Sequence, residues 1–203
     1  MAEMKDIFQK LIAIFDQSDL VYVIVGGFAA ILRGSARTTS DIDVIISPDL
    51  KSGIKVSKEE LIDKLINVFQ LGGFDVMEQQ LRLILNEGSN ASVYLKDSVI
   101  RIDLKIAKTM DEYEVVENAV EGVFQSIKFP IASIEQILYG KILYLGDISD
   151  LSDGELLDFN DVRDFINVYR TASDVDLDWL SKKITKKGLS DTLKRLLRTA
   201  NKF

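Results

Sequence analysis

Residues 21–46, VYVIVGGFAAILRGSARTTSDIDVII, carry two different hydrophobic periods in quick succession. Val21-Tyr22-Val23-Ile24-Val25 is a β-branched apolar run stopped by Gly26-Gly27, which predicts a buried strand ending at a turn. Residues 28–33 then predict a short helix closed by Gly34. Asp41-Ile42-Asp43-Val44-Ile45-Ile46 alternates before turning wholly apolar, which predicts a second strand stopping at Ser47-Pro48. Upstream, Ile7, Leu11, Ile14 and Phe15 recur at helical spacing, so the chain is expected to open as helix, strand, glycine turn, helix, strand.

Downstream, Ser57 and Glu60 form a capping box ahead of Leu61, Leu65, Ile66 and Phe69, predicting a helix that ends near Gly72-Gly73. Strands are predicted at 74–77, 82–86, 92–95, 99–106 and 123–129, with a helix at about 111–119 among them. Such dense strands with short connections give a mixed or antiparallel sheet. From Ser133 the pattern is wholly helical, with helices predicted at 134–145, 159–169, 177–184 and 189–200. The fold class is therefore α+β: an α/β core over 1–130 and a helical region over 131–203 packed on it, with no Pro/Gly/Ser-rich linker between them.

Composition narrows the chemistry. The 203 residues include 25 basic and 32 acidic side chains, a formal charge of −7, and neither cysteine nor histidine. Thiol nucleophiles, disulfides, Ser-His-Asp triads and zinc or haem sites built on His or Cys are excluded. What remains is carboxylates, Lys, Arg, Tyr, hydroxyls and hard metals held by oxygen, with Mg²⁺ or Mn²⁺ foremost. The start of the chain lacks the basic-then-apolar order of a signal peptide, and the longest apolar stretch, 20–32, is too short and too glycine-broken to span a bilayer. A cytoplasmic protein with no membrane partner is the expectation.

Asp41 and Asp43 are two apart on a predicted strand, so their side chains leave the same face. Two carboxylates placed so closely repel unless a cation sits between them, and a hard divalent metal is one resolution. A solvated polar face is the other. Gly26 and Gly27, between a strand and a helix, either let backbone N–H groups approach a phosphate or simply make a tight turn. Neither the Rossmann nor the Walker glycine pattern is present.

Gly26-Gly27, a short helix, and then Arg37-x-Thr39-x-Asp41-x-Asp43 followed by apolar residues resembles the signature of the DNA polymerase beta-like nucleotidyltransferase superfamily, in particular its small stand-alone, toxin-type and uncharacterised members. The resemblance covers roughly residues 20–170 and implies a nucleotidyltransferase-like mixed sheet with flanking helices. It also implies a third carboxylate on a later strand, which Arg101-Ile102-Asp103-Leu104-Lys105 supplies. By that resemblance Asp41, Asp43 and Asp103 are catalytic residues that hold two Mg²⁺ (or Mn²⁺) ions. A nucleoside triphosphate such as ATP is bound with help from Gly26, Gly27, Arg37, Ser40 and Lys141. Ser40, as a residue, could equally cap or connect. Family members also carry a Lys-Asp pair and an Asp-x-x-Asp-like helix start after the Lys141 helix. Here Leu157-Asp158 stands at the pair, after a long acidic insertion, so the roles of Asp158 and Asp161 stay open.

The implied function is transfer of a nucleoside monophosphate from a triphosphate to a hydroxyl of RNA (tRNA), protein or a small molecule, with release of pyrophosphate. The alternative is a non-catalytic binding or regulatory component of a toxin–antitoxin pair, with a cognate antitoxin or regulator as partner. A Ca²⁺-binding module is disfavoured, because no EF-hand spacing occurs. Lys182, Lys183, Lys186, Lys187, Lys194, Arg195, Arg198 and Lys202 cluster near the C-terminus of an acidic chain, which fits either a polyanionic partner such as tRNA or solvated helix faces. Trp179 and Phe203 are the aromatics of that region, too few for base stacking.

Overall fold

A computed structural model describes residues 2–96 and 98–202, so Phe203 lies outside it. The chain divides into two compact units, Met1–Val25 with Thr39–Ile131, and Gly26–Thr38 with Ala132–Phe203. The segment 26–38, expected within a core of residues 1–130, thus belongs with the helices.

The first unit is built on a seven-stranded mixed sheet, in the order β3-β4-β5-β2-β1-β7-β6. Its strands are β1 (Leu20–Val25), β2 (Asp41–Leu50), β3 (Phe74–Asp75), β4 (Ala91–Leu95), β5 (Arg101–Ile106), β6 (Val120–Phe124) and β7 (Ile127–Ile131). β2 pairs with β5, and β1 with β7, in parallel, and the other neighbours are antiparallel. Four helices accompany the sheet: α1 (Ala2–Gln17), α3 (Lys58–Leu71), α4 (Glu78–Glu87) and α5 (Met110–Glu117). The strand alternation buries Ile42, Val44, Ile46, Ile102 and Leu104 on one face. Phe15 of α1 stacks on Tyr22 of β1 at 4.0 Å between ring centroids and meets Phe69 of α3 edge-on at 5.9 Å, so aromatic burial fixes both helices to the apolar side. Ser57 caps α3 in the expected box with Glu60.

Three local expectations are corrected. Residues 82–86 are not a strand but the second half of α4, because Leu81 and Leu85 are buried one helical turn apart while Leu83 is 61% exposed. The single strand expected at 123–129 is the hairpin β6–β7. Its two-residue turn, Gln125-Ser126, has both residues at positive φ (48° and 71°), a primed turn without the glycine that usually announces one. β2 continues through Pro48 to Leu50, because Pro48 falls where the β1–β2 register slips and the β5 pairing has already ended at Ile46, so its missing N–H is not called on.

The second unit comprises α2 (Gly26–Leu32), α6 (Ile134–Leu145), α7 (Asp153–Leu156), α8 (Asn160–Thr171), α9 (Leu177–Lys186) and α10 (Ser190–Ala200). Leu138, Ile142, Val162, Phe165, Leu180, Ile184 and Leu196 form its core. Ser133 opens α6 with a capping box to Gln136. The acidic insertion is tied down by α10: Arg195 donates to the carbonyl oxygens of Ile148 (2.5 Å) and Leu151, and Thr192 donates to that of Gly146 (2.8 Å). Among the described residues no helix is long and apolar enough to cross a membrane.

Candidate active site

In the first unit the parallel β2–β5 ladder sets Asp41 beside Arg101 and Asp43 beside Asp103. Asp41, Asp43, Arg101 and Asp103 alternate with the buried positions, so all four project from the sheet face opposite the apolar core. Ser92 of β4 pairs with Asp103 across the next ladder, and its hydroxyl donates to Asp103 Oδ1 at 2.6 Å. On the same face Lys105 pairs with Glu112 of α5. Position, here, follows directly from strand period and register.

The charges are arranged around one guanidinium. Arg101 Nη2 lies 3.3 Å from Asp41 Oδ2, and its Nε lies 3.0 Å from Asp103 Oδ1. The second approach is close but poorly aligned, since Nε is buried without a hydrogen bond. Burial works against the charged guanidinium, yet Asp103 and Asp41 outweigh it and hold Arg101 above the usual arginine range. Asp103 is more enclosed than Asp41, its side chain 12% exposed against 38%. Ser40 is exposed and contributes its carbonyl oxygen to the Arg101 N–H at 2.9 Å, which fastens the start of β5 to the start of β2.

Among the described residues no three carboxylates lie close enough together to form a ready-made metal site. Carboxylate oxygens are the hard donors a divalent ion takes, and here they stand in register on two adjoining strands with a side-chain cation between two of them.

The second unit holds the other residues singled out from the sequence. Gly26 sits at φ +67°, a left-handed conformation that favours glycine. A Cβ on Gly27 would lie 2.2 Å from Arg37 Nη2, so the space above Gly27 is taken by the Arg37 guanidinium. Arg37 in turn donates from Nε (2.8 Å) and Nη2 (2.9 Å) to the two oxygens of Asp164. Lys141, a nearly buried residue of α6, is ion-paired to Asp161 (2.7 Å) and Asp164 (2.6 Å). Ser35 Oγ donates to Asp164 at 2.6 Å. Arg37 and Lys141, expected to meet phosphates, are thus internally paired because a fully buried carboxylate needs their charge.

Asp164 is not among the residues that the sequence pattern marks. Burial alone would push its carboxyl up, but Arg37, Lys141 and Ser35 more than offset this and hold it below the ordinary carboxylate range. The available signal was a carboxylate one turn after Asp161, inside the apolar stripe of α8 that includes Phe165 and Val168. Asp158 is exposed and lies before α8. Of the C-terminal basic cluster, Arg195 and Lys202 pair with Asp153, Lys194 with Asp191, and Lys183 lies 5.6 Å from the centre of the Trp179 ring.

No family model and no curated protein sequence matches the chain. Solved structures do. A nucleotidyltransferase-like protein from Paracoccidioides brasiliensis matches at TM-score 0.60 with 19% identity, covering 98% of this chain and 93% of its own. The antibiotic-resistance factor ANT(2″)-Ia matches at 0.54 and 18%, covering 98% and 96%. The lincosamide antibiotic adenylyltransferase LnuA matches at 0.50 and 14%, covering 83% and 97%. The chain has the nucleotidyltransferase fold. In that fold the first unit supplies the mixed sheet that carries Asp41, Asp43 and Asp103.

Proposed function

We propose that this chain is a metal-dependent nucleotidyltransferase that moves a nucleoside monophosphate from a nucleoside triphosphate to a hydroxyl of a small molecule. The observation that carries this reading is the placement of Asp41, Asp43 and Asp103 on one face of adjoining parallel strands in a nucleotidyltransferase-like fold. The preference for a small-molecule acceptor follows from the names of two structural neighbours, an antibiotic-resistance factor and a lincosamide antibiotic adenylyltransferase.

In the reaction the acceptor oxygen bonds to the α-phosphorus, the bond from that phosphorus to the bridging oxygen of the β-phosphate breaks, and pyrophosphate departs. Mg²⁺ or Mn²⁺ ions, when bound, would stabilise the charge on the attacking and leaving oxygens. Asp41, Asp43 and Asp103 would hold them. Asp103, a largely enclosed carboxylate held by Ser92, orients the acceptor hydroxyl and takes its proton. The Arg37, Lys141 and Asp164 cluster serves as framework: it keeps the glycine segment 26–38 fastened to the helices of its own unit.

The test incubates the protein and Mg²⁺ with each α-labelled triphosphate and, separately, small-molecule extract, total RNA or total protein. Label is expected in the small-molecule fraction and lost with Asp43→Asn or Asp103→Asn while the circular dichroism spectrum is retained. Label confined to RNA or protein would replace the acceptor class and keep the enzyme. No label in any fraction would favour the non-catalytic, partner-binding alternative.

A further inference from the structure

Arg101 lies between two of the aspartates, in a position the proposed reaction does not use. It stands beside Asp41 in the β2–β5 ladder and two residues from Asp103 on its own strand, so all three point the same way. Its guanidinium does not form the usual fork on a single carboxylate. One nitrogen reaches Asp41 at 3.3 Å while another lies 3.0 Å from Asp103 without hydrogen-bond alignment. Two carboxylates are thereby shared by a cation that satisfies neither well.

We propose that Arg101 is the resident counter-cation of the aspartate site: it neutralises Asp41 and Asp103 in the metal-free protein and must swing away before a divalent ion binds. The inference rests on the proposed reading of Asp41, Asp43 and Asp103 as metal ligands. Asp41 and Asp103 flank one guanidinium, so when it leaves another cation must balance their charge. A guanidinium and a metal ion compete for the same oxygens. Two features equip Arg101 to leave. Its side chain is 39% exposed, so solvent is available to receive the guanidinium. The Ser92 hydroxyl, at 2.6 Å, stays on Asp103 and keeps that carboxylate aimed when the arginine departs. Arg101 therefore sets the metal affinity of the empty enzyme, acting through the ligands rather than on the substrate.

The experiment uses chelator-treated full-length protein and Mn²⁺ alone, with free Mn²⁺ followed by electron paramagnetic resonance and melting temperature recorded with and without the ion. Arg101→Gln and Arg101→Met, which remove the charge while keeping much of the side chain, are expected to bind Mn²⁺ roughly ten-fold more tightly than wild type. Without metal both should melt below wild type, because the carboxylates have lost their counter-cation. Mn²⁺ should then raise their melting temperature by more than it raises that of wild type. The gain in affinity should vanish when Asp103→Asn is added to Arg101→Gln. If wild type binds Mn²⁺ and neither variant binds it more tightly, the role of Arg101 is overturned while the metal-ligand reading stands. If neither wild type nor the folded variants bind Mn²⁺, the metal-ligand reading falls and the role of Arg101 with it.

Discussion

Asp164→Asn keeps the size of the side chain, removes its charge, and turns one acceptor into a donor facing Arg37 or Lys141. In the wild type the carboxylate is fully buried and accepts from Ser35 Oγ, Arg37 Nε and Arg37 Nη2, with Lys141 Nζ at 2.6 Å. Removing one partner of a buried ion pair costs about 3–5 kcal/mol, mostly because the remaining charge is left without compensation. Two features place this case near the lower end. Arg37 retains 22% side-chain exposure, and Lys141 keeps Asp161 at 2.7 Å. A loss of about 3 kcal/mol is therefore expected, or roughly 6–12 °C in melting temperature for a chain of this length. Urea denaturation followed by circular dichroism at pH 7 measures it. The pH dependence has a definite sign. The folded carboxyl titrates below its ordinary value of 3.8, so its contribution is fully present above that pH and is lost as the pH falls through the folded value. The gap between wild type and Asp164→Asn should stay constant from pH 8 to 5 and close below pH 3.8. A loss of under about 1 kcal/mol, the range of an exposed pair, would refute the view that Asp164 organises its unit.

Gly27→Ala tests what the glycine is for. The new Cβ would meet Arg37 Nη2 at 2.2 Å, and Asp164 holds that guanidinium in place, so a loss of about 1–3 kcal/mol is expected. In an Arg37→Ala background the same substitution should be neutral or stabilising by up to about 1 kcal/mol, as for any helical glycine; an undiminished loss there would show that Arg37 is not the obstacle. Lys182, Lys186 and Lys187 replaced together by Gln should leave label transfer to a small-molecule acceptor unchanged. A fall in transfer to RNA, with a shallower salt dependence of RNA binding, would instead assign those lysines to phosphate contacts.

Features set by local chemistry were legible before the fold was known. The Ser57–Glu60 capping box needs only four consecutive residues to close, and it forms as the spacing implies. The shared face of Asp41 and Asp43 follows from strand period alone. Residues 82–86, Arg-Leu-Ile-Leu-Asn, illustrate the opposite case, since a short apolar run suits a strand and a helix equally until burial selects Leu81 and Leu85. The β6–β7 turn was hidden because Gln125 and Ser126 adopt positive φ without glycine, an arrangement imposed by the pairing on either side.

The α+β class, the strand that carries Asp41 and Asp43, and the lack of histidine or cysteine ligands are legible in the chain alone, because each depends on composition or on short-range periodicity; the third aspartate enters through the resemblance. What those residues face depends on strand pairing and burial far along the chain. Parallel pairing of β2 with β5 brought Arg101 between Asp41 and Asp103, across 60 residues of chain in the case of Asp41 (101 − 41). Burial of Asp164 drew in Lys141 and, from 127 residues away, Arg37, whose guanidinium lies above Gly27. A buried carboxylate must find positive charge wherever the fold brings it, and no local pattern records which cation that will be.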